Sequence, residues 1–163
     1  IGMIISMYIY NNKILKKSVL WILDRVVIAS ALGAVFIRVG NFFNSEMIGK
    51  PSEEGFPLAV IFRQLDSIPR HPGQLYEAFG YVFVFLILFF LYWKTKKSMQ
   101  TGFLFGLFLV LLMSVRVIVE QFKIAQIDSR EDWILGLNTG QVLSIPFVLC
   151  GLYFMFLYKP KTN

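Results

Sequence analysis

Apolar residues in this chain come in long unbroken blocks. They do not alternate, and no soluble amphipathic pattern recurs. Each full block is near the roughly 20 residues that a helix needs to cross hydrocarbon. The blocks predict membrane-spanning helices over about 18–43, 72–93, 102–122 and 140–158. A shorter apolar piece, Ile1–Tyr10, cannot span. It has no basic n-region and no cleavage site, so it is no signal peptide. It is read as the tail of a helix, and the chain as the C-terminal portion of a longer protein. The connection 44–71 is long and carries Pro51, Gly55, Pro57 and Pro69. Within it Ala59–Leu65 is a candidate short strand, which would give a small external cap. The expected fold is all-α: a polytopic transmembrane helix bundle with that loop as a cap, residues 1–163 forming one integral membrane domain.

Composition supports this. Of 163 residues, 56% are hydrophobic and only 16% charged, and mean hydropathy is +0.64. A soluble domain of this length could not hide so much apolar surface. The aromatics are mostly lipid-facing or interfacial and need no further role. The net charge of +6 would point weakly to nucleic acid, but here the lysines gather between spans. Lys13, Lys16 and Lys17, then Lys94, Lys96 and Lys97, then Lys159 and Lys161 lie in segments without an acid. The alternate loops are mixed. Glu46, Glu53, Glu54, Asp66, Asp128, Glu131 and Asp132 offset Lys50, Arg63, Arg70, Lys123 and Arg130. The positive-inside rule puts the lysine segments and C-terminus in the cytoplasm and the mixed loops outside. No nucleic-acid partner is expected.

Polar residues inside apolar blocks carry the chemistry. A charge there costs roughly 2.5–3.5 kcal/mol on insertion scales, so each needs a reason. Arg38 ends the first block, and Asn41 and Asn44 fall on neighbouring turns, with Glu46 just after. A guanidinium binds phosphate in a fork that lysine cannot reproduce. His71-Pro72-Gly73-Gln74-Leu75-Tyr76-Glu77 opens the second block. Pro72 suits a first helical position. Gln74 and Glu77 make a polar stripe, and Glu77 needs a partner, for which an arginine on a neighbouring helix is natural. Arg116 and Glu120, four apart, are expected to stack as an intramembrane pair. Gly140-Gln141 opens the last block, with Ser144 and Pro146 following. Gln141 could donate to a headgroup or serve helix packing. Asp24 and Arg25 are adjacent, so they do not pair with each other, and are read as interfacial or inter-helix contacts. Cys150 is the only cysteine, which excludes a disulfide framework, and is expected to be a buried small hydrophobe. No metal-ligand spacing occurs, so no metal or cofactor is expected.

Together Arg38, Asn41, Glu46, His71, Gln74, Glu77, Arg116, Glu120 and Gln141 could converge on a cationic, amide-rich pocket near the outer leaflet. At this point the residues resemble a known family. Arg38-x-Gly40-Asn41-Phe42-x-Asn44-x-Glu46-x-x-Gly49 is similar to the signature of prolipoprotein diacylglyceryl transferases. His71-Pro72-x-Gln74-Leu75-Tyr76-Glu77, Arg116-x-x-x-Glu120 and Gly140-Gln141-x-Leu143-Ser144-x-Pro146 resemble its other motifs, in the family's order. The resemblance implies an enzyme of the bacterial cytoplasmic membrane that needs no cofactor. It would move a diacylglyceryl group from phosphatidylglycerol to the lipobox cysteine of a preprolipoprotein signal peptide, releasing glycerol 1-phosphate. Arg38, Arg116, Glu120 and His71 would then be catalytic. Asn41, Asn44, Glu46, Gly49, Gln74, Tyr76, Glu77 and Gln141 would bind substrate. The family's His-Gly-Gly motif, whose histidine is a proposed base, is not in this chain. Leu112, Ile37 and Lys123 stand where the family often has Tyr, Gly and Arg.

Two other readings compete. A transporter or channel could use intramembrane Arg and Glu as a coupling site, although the polar motifs do not repeat. A non-catalytic membrane subunit would use the same charges for assembly alone.

Overall fold

Ser18 starts the first full span because its hydroxyl accepts from the Trp21 amide at 3.2 Å, a helix N-cap. The computed structural model describes residues 2–53, 55–123 and 139–158. Helix α1 (Gly2–Tyr10) runs into a π turn, Asn11–Leu15, and ends at Lys16 in left-handed backbone. Helix α2 covers Val19–Phe43, α3 Gly73–Lys94, α4 Phe103–Val119 and α5 Thr139–Leu152. A 3₁₀ turn, Glu120–Phe122, extends α4, and a π turn, Tyr153–Leu157, extends α5. With these extensions, four helices are long and apolar enough to cross a membrane. The chain is an all-α polytopic membrane protein, and the spans match the apolar blocks to within a residue or two.

Burial confirms what kind of solvent this bundle faces. The buried seam is thin: Val27 and Ala31 of α2, Val84 and Leu88 of α3, Phe103 and Leu104 of α4. Outside it the helices expose large apolar side chains such as Phe36, Phe79, Phe90, Leu149 and Phe156. Cys150 is exposed among them, not buried as expected. In lipid an apolar residue gains little by turning inward, so hydropathy does not predict burial. Close packing holds the helices instead. A Cβ on Gly106 would lie 2.5 Å from the Gly151 carbonyl, and one on Gly151 would lie 2.6 Å from that of Gly106. The α4 and α5 backbones therefore touch where two small residues face each other.

The long connection folds as a small cap. Strands β1 (Val60–Ile61) and β2 (Pro69–Arg70) pair antiparallel. The expected strand over Ala59–Leu65 shrinks to two residues. Phe62 turns inward and is buried, and its carbonyl accepts from Leu65 and Asp66, closing a turn. Residues 49–52 run between β2 and the end of α4. The Lys50 amide donates to the Phe122 carbonyl (2.8 Å), and the His71 amide donates to the Lys50 carbonyl (3.0 Å). Pro72 sits one position earlier than expected, as N-cap to α3, its carbonyl accepting from Leu75 and Tyr76.

The end of the bundle that carries Lys13–Lys17 and Lys94–Lys97 is tied by Asp24. Its carboxylate accepts from the Gly102 amide at 2.6 Å and the Phe105 amide at 2.8 Å. It is the N-cap of α4, lent by α2, since Gly102 has no side chain to do so. Arg25 points the other way. Its guanidinium lies 3.3 Å from the Trp21 ring centre and donates to the Trp21 carbonyl. Asp24→Ala would orphan two buried amides and is expected to cost about 2–3 kcal/mol, with Asp24→Asn costing less. Unfolding in detergent, followed by the thermal midpoint, checks this; an unchanged midpoint for Asp24→Ala would show that the carboxylate does not cap α4.

Candidate functional site

At the other end of the bundle, α2 and α4 finish where α3 and α5 begin. Several of the polar residues singled out above lie there. Glu77, on the first turns of α3, is fully buried. Its Oε2 lies 2.9 Å from Arg38 Nε on α2 and 2.9 Å from Lys123 Nζ, just past α4. These are contacts at ion-pair distance and not aligned hydrogen bonds. Its Oε1, like Gln74 Oε1, has no donor among the described residues. The arginine expected for Glu77 is thus Arg38, and Lys123 is a second cation that the sequence placed in an outer loop.

Arg38 is held on both sides. With the Asn41 amide turned so that its oxygen faces the guanidinium, Asn41 accepts from Arg38 Nη1 at 3.2 Å and donates to the Ile37 carbonyl at 3.2 Å. This is the neighbouring-turn relation expected from the spacing. The buried Tyr81 hydroxyl lies within reach of Arg38 and in the fields of Glu77 and Arg116. Tyr81 was not anticipated. The signal was present, since it follows Glu77 by four residues and extends the Gln74–Glu77 stripe along α3. Arg116 is half-buried and has no carboxylate partner among the described residues.

Arg116 and Glu120 do not make the ion pair expected of their spacing. Glu120 turns toward Lys123, with Oε2 3.9 Å from Nζ, and against the start of α5. A Cβ on Gly140 would lie 2.5 Å from Glu120 Oε1. The glycine leaves room for a carboxylate at a helix N-terminus, where negative charge is favoured. That attraction, and Lys123, outcompete the i, i+4 partner. Gln141 donates to the Val117 carbonyl at 3.2 Å, the helix-packing use of its amide. Ser144 donates to the Gly140 carbonyl.

Other expected residues take backbone or peripheral places. Gln74 Nε2 donates to the backbone carbonyl of Glu46 at 2.5 Å, while the Glu46 and Asn44 side chains are exposed. Gly49 is where three chain segments cross: a Cβ there would collide with the His71 and Phe122 carbonyls. His71 and Tyr76 form a separate aromatic group. His71 Nδ1 is 3.3 Å from the Tyr76 hydroxyl, and the imidazole packs on Phe56 and Phe122. With Leu58, Ile118 and Val119 these rings line an apolar pocket of about 460 Å³ beneath the cap. Of the mixed-loop charges, Glu54, Asp128, Arg130, Glu131 and Asp132, and of the tail Lys159 and Lys161, lie outside the described residues.

The cap is braced by Asp66 and Arg70. Asp66 Oδ2 accepts from Arg70 Nη2 at 2.5 Å, Asp66 Oδ1 accepts from the Ile68 amide, and Arg70 Nη1 reaches the Gly49 carbonyl. The hydrogen bond from Arg70, with that from Ile68, holds the Asp66 carboxyl below its ordinary 3.8. A carboxyl whose folded pKa is depressed stabilises fully above its unfolded value and loses that contribution as pH falls through the folded one. Hydrogen exchange at the Ile68 amide should therefore be flat above pH 3.8 after correction for intrinsic rates, and rise below it. Asp66→Asn should exchange fast throughout; an equally protected variant would show that the carboxylate does not brace the cap.

A sequence model of the family described as prolipoprotein diacylglyceryl transferase matches residues 1–157. A phosphatidylglycerol–prolipoprotein diacylglyceryl transferase of Bacteroides fragilis is 42% identical over 163 residues, which is 100% of this chain and 57% of the relative. One of Tolumonas auensis is 43% identical over 157 residues, 96% of this chain and 59% of the relative. One of Chloroherpeton thalassium is 41% identical over 156 residues, 96% of this chain and 57% of the relative. The chain spans a little under three fifths of the length of these relatives. The match runs through all four described spans and every residue of the polar cluster, and on that ground the chain belongs to the prolipoprotein diacylglyceryl transferase family.

Proposed function

We propose that the protein transfers the diacylglyceryl group of phosphatidylglycerol to the lipobox cysteine of a preprolipoprotein in the bacterial cytoplasmic membrane. The observation that carries this is Arg38 held on the buried Glu77 carboxylate at one end of an apolar bundle, with Arg116 in the last turn of α4 at the same end. Two guanidiniums in a low-dielectric setting suit a lipid phosphate, and the names of the relatives supply the lipid and the acceptor. The lysine-rich connections would face the cytoplasm and the cluster the opposite side, where a signal peptide emerges.

The reaction is a displacement at carbon. The cysteine thiolate attacks the glyceryl carbon that bears the phosphate ester. A C–S bond forms, the C–O bond breaks, and its electron pair leaves on the oxygen of glycerol 1-phosphate. Thiolate is the competent nucleophile, so the thiol proton must go to a base. Arg38 and Arg116 would stabilise charge growing on the phosphate oxygens. Glu77 and Glu120 are engaged by cations, and we assign them to holding the site's geometry. Asn41 would keep Arg38 aimed, and Asn44, Glu46 and Gln141 stand where headgroup contacts could form. His71, whose ring can both accept and donate a proton, is the residue we assign to proton handling, with Tyr76 as its partner.

A transporter is not favoured. Its coupling groups would sit near the midplane in a repeated arrangement, whereas these gather at one end. The test is mass spectrometry of a lipobox peptide incubated in detergent with the full-length protein and phosphatidylglycerol. A diacylglyceryl mass gain on cysteine is expected. Arg116→Ala should lower the rate by about 10²–10³-fold, as for loss of one oxyanion-stabilising donor. No gain from folded, membrane-inserted wild-type protein would reject the transferase reading, and full activity in Arg116→Ala would reject the role given to that residue.

A further inference from the structure

Lys123 breaks the usual behaviour of a lysine at the end of a membrane helix. Such a side chain normally runs outward, keeping its ammonium in water. Here it runs inward and is 6% exposed. Its backbone is pinned by the cap, through the bridge to Gly49 and the hydrogen bond from Lys50 to the neighbouring Phe122 carbonyl. Its stem crosses α3 over Gly73, where a Cβ would come 3.2 Å from Lys123 Cγ. The ammonium ends 2.9 Å from Glu77 Oε2, the same oxygen that meets Arg38 Nε at 2.9 Å. The two cations are therefore no farther apart than twice that distance, and they come from different helices. Left alone they would repel each other. Glu77 holds them together, and Glu120 adds a weaker hold on Lys123. Arg116, in the last turn of α4, stands at the same end of the bundle.

We infer that Lys123 is a third cation of the anion site, which binds the phosphate of an anionic phospholipid, and that Glu77 is the positioning residue that sets Lys123 and Arg38 at phosphate spacing. The inference rests on reading the cluster as the headgroup site. In that site a phosphate would take over from Glu77 part of the neutralisation of both cations. Arginine at position 123 would keep the charge within the same reach.

The test uses full-length protein in detergent and two readouts. One is the rise in thermal midpoint on adding phosphatidylglycerol, with phosphatidylcholine as control. The other is transfer to a lipobox peptide, resolved into KM for phosphatidylglycerol and kcat. Lys123→Met should lose most of the lipid-dependent rise and raise KM about tenfold, with a smaller change in kcat, the mark of lost ground-state binding. Lys123→Gln, which keeps a polar stem over Gly73, is the second removal variant should the methionine misfold. Lys123→Arg should restore both readouts. Glu77→Gln should move them in the same direction as Lys123→Met, and the double variant should be no worse than the worse single one, because both act through one group. A folded Lys123→Met or Lys123→Gln with wild-type KM and wild-type lipid response overturns the inference while leaving the transferase reading intact. Wild-type protein that responds to phosphatidylglycerol through Lys123 but transfers nothing overturns the transferase reading and leaves the anion site standing.

Discussion

The carboxylate of Glu77 is the point on which this end of the molecule turns. A buried, isolated carboxylate would be costly in any protein and more so in a bilayer. Glu77 offsets that cost by meeting Arg38 of α2 and Lys123 beyond α4, while its own backbone belongs to α3. One oxygen thereby joins three helices. Such an arrangement adds little net stability compared with apolar packing, but removing one member leaves uncompensated charge. Its effect is therefore better described as geometric than as stabilising. It fixes two cations side by side where hydrocarbon would otherwise drive each to a different exit.

The opposite end shows the same principle without cations. Asp24 is as deeply buried as Glu77, yet it meets backbone amides at the start of α4. Between the two ends, the helices are joined by a narrow seam and by contacts of small residues such as Gly106 and Gly151. Lipid supplies no hydrophobic drive toward the interior, so buried polar contacts at each end and close backbone approach in the middle hold the bundle. The cap adds a further brace. It pins the backbone at Lys123, whose side chain runs inward to Glu77.

The two halves of the polar set have different surroundings. Arg38, Asn41, Glu77 and Lys123 lie in a charged network between helices. His71 and Tyr76 lie among rings next to an apolar pocket at the junction of cap and bundle. A phosphate-bearing headgroup and an apolar chain or peptide make these two demands on one site, which is consistent with the proposed substrates.

Fold class, span number and span limits were legible in the sequence, because a bilayer imposes length and hydropathy on each segment separately. The Arg38–Asn41 relation was legible for the same reason: it is local to one helix. Charged residues in apolar blocks also marked positions, such as Arg38 and Glu77, that the structure brings into contact. What the sequence could not show was pairing. Local spacing favoured Arg116 with Glu120, but Gly140 opened a helix N-terminus to Glu120, and Glu77 took Arg38 and Lys123 across helices. Lys123 read as a loop charge because nothing local says which way a lysine at a helix end will run. Cys150 read as buried because hydropathy cannot tell a lipid-facing position from an interior one. Sequence alone determined where each helix crosses and which residues are out of place in lipid. Tertiary structure alone decided which of them meet, because an ion in a low-dielectric medium takes the partner that packing brings closest, whatever its distance along the chain.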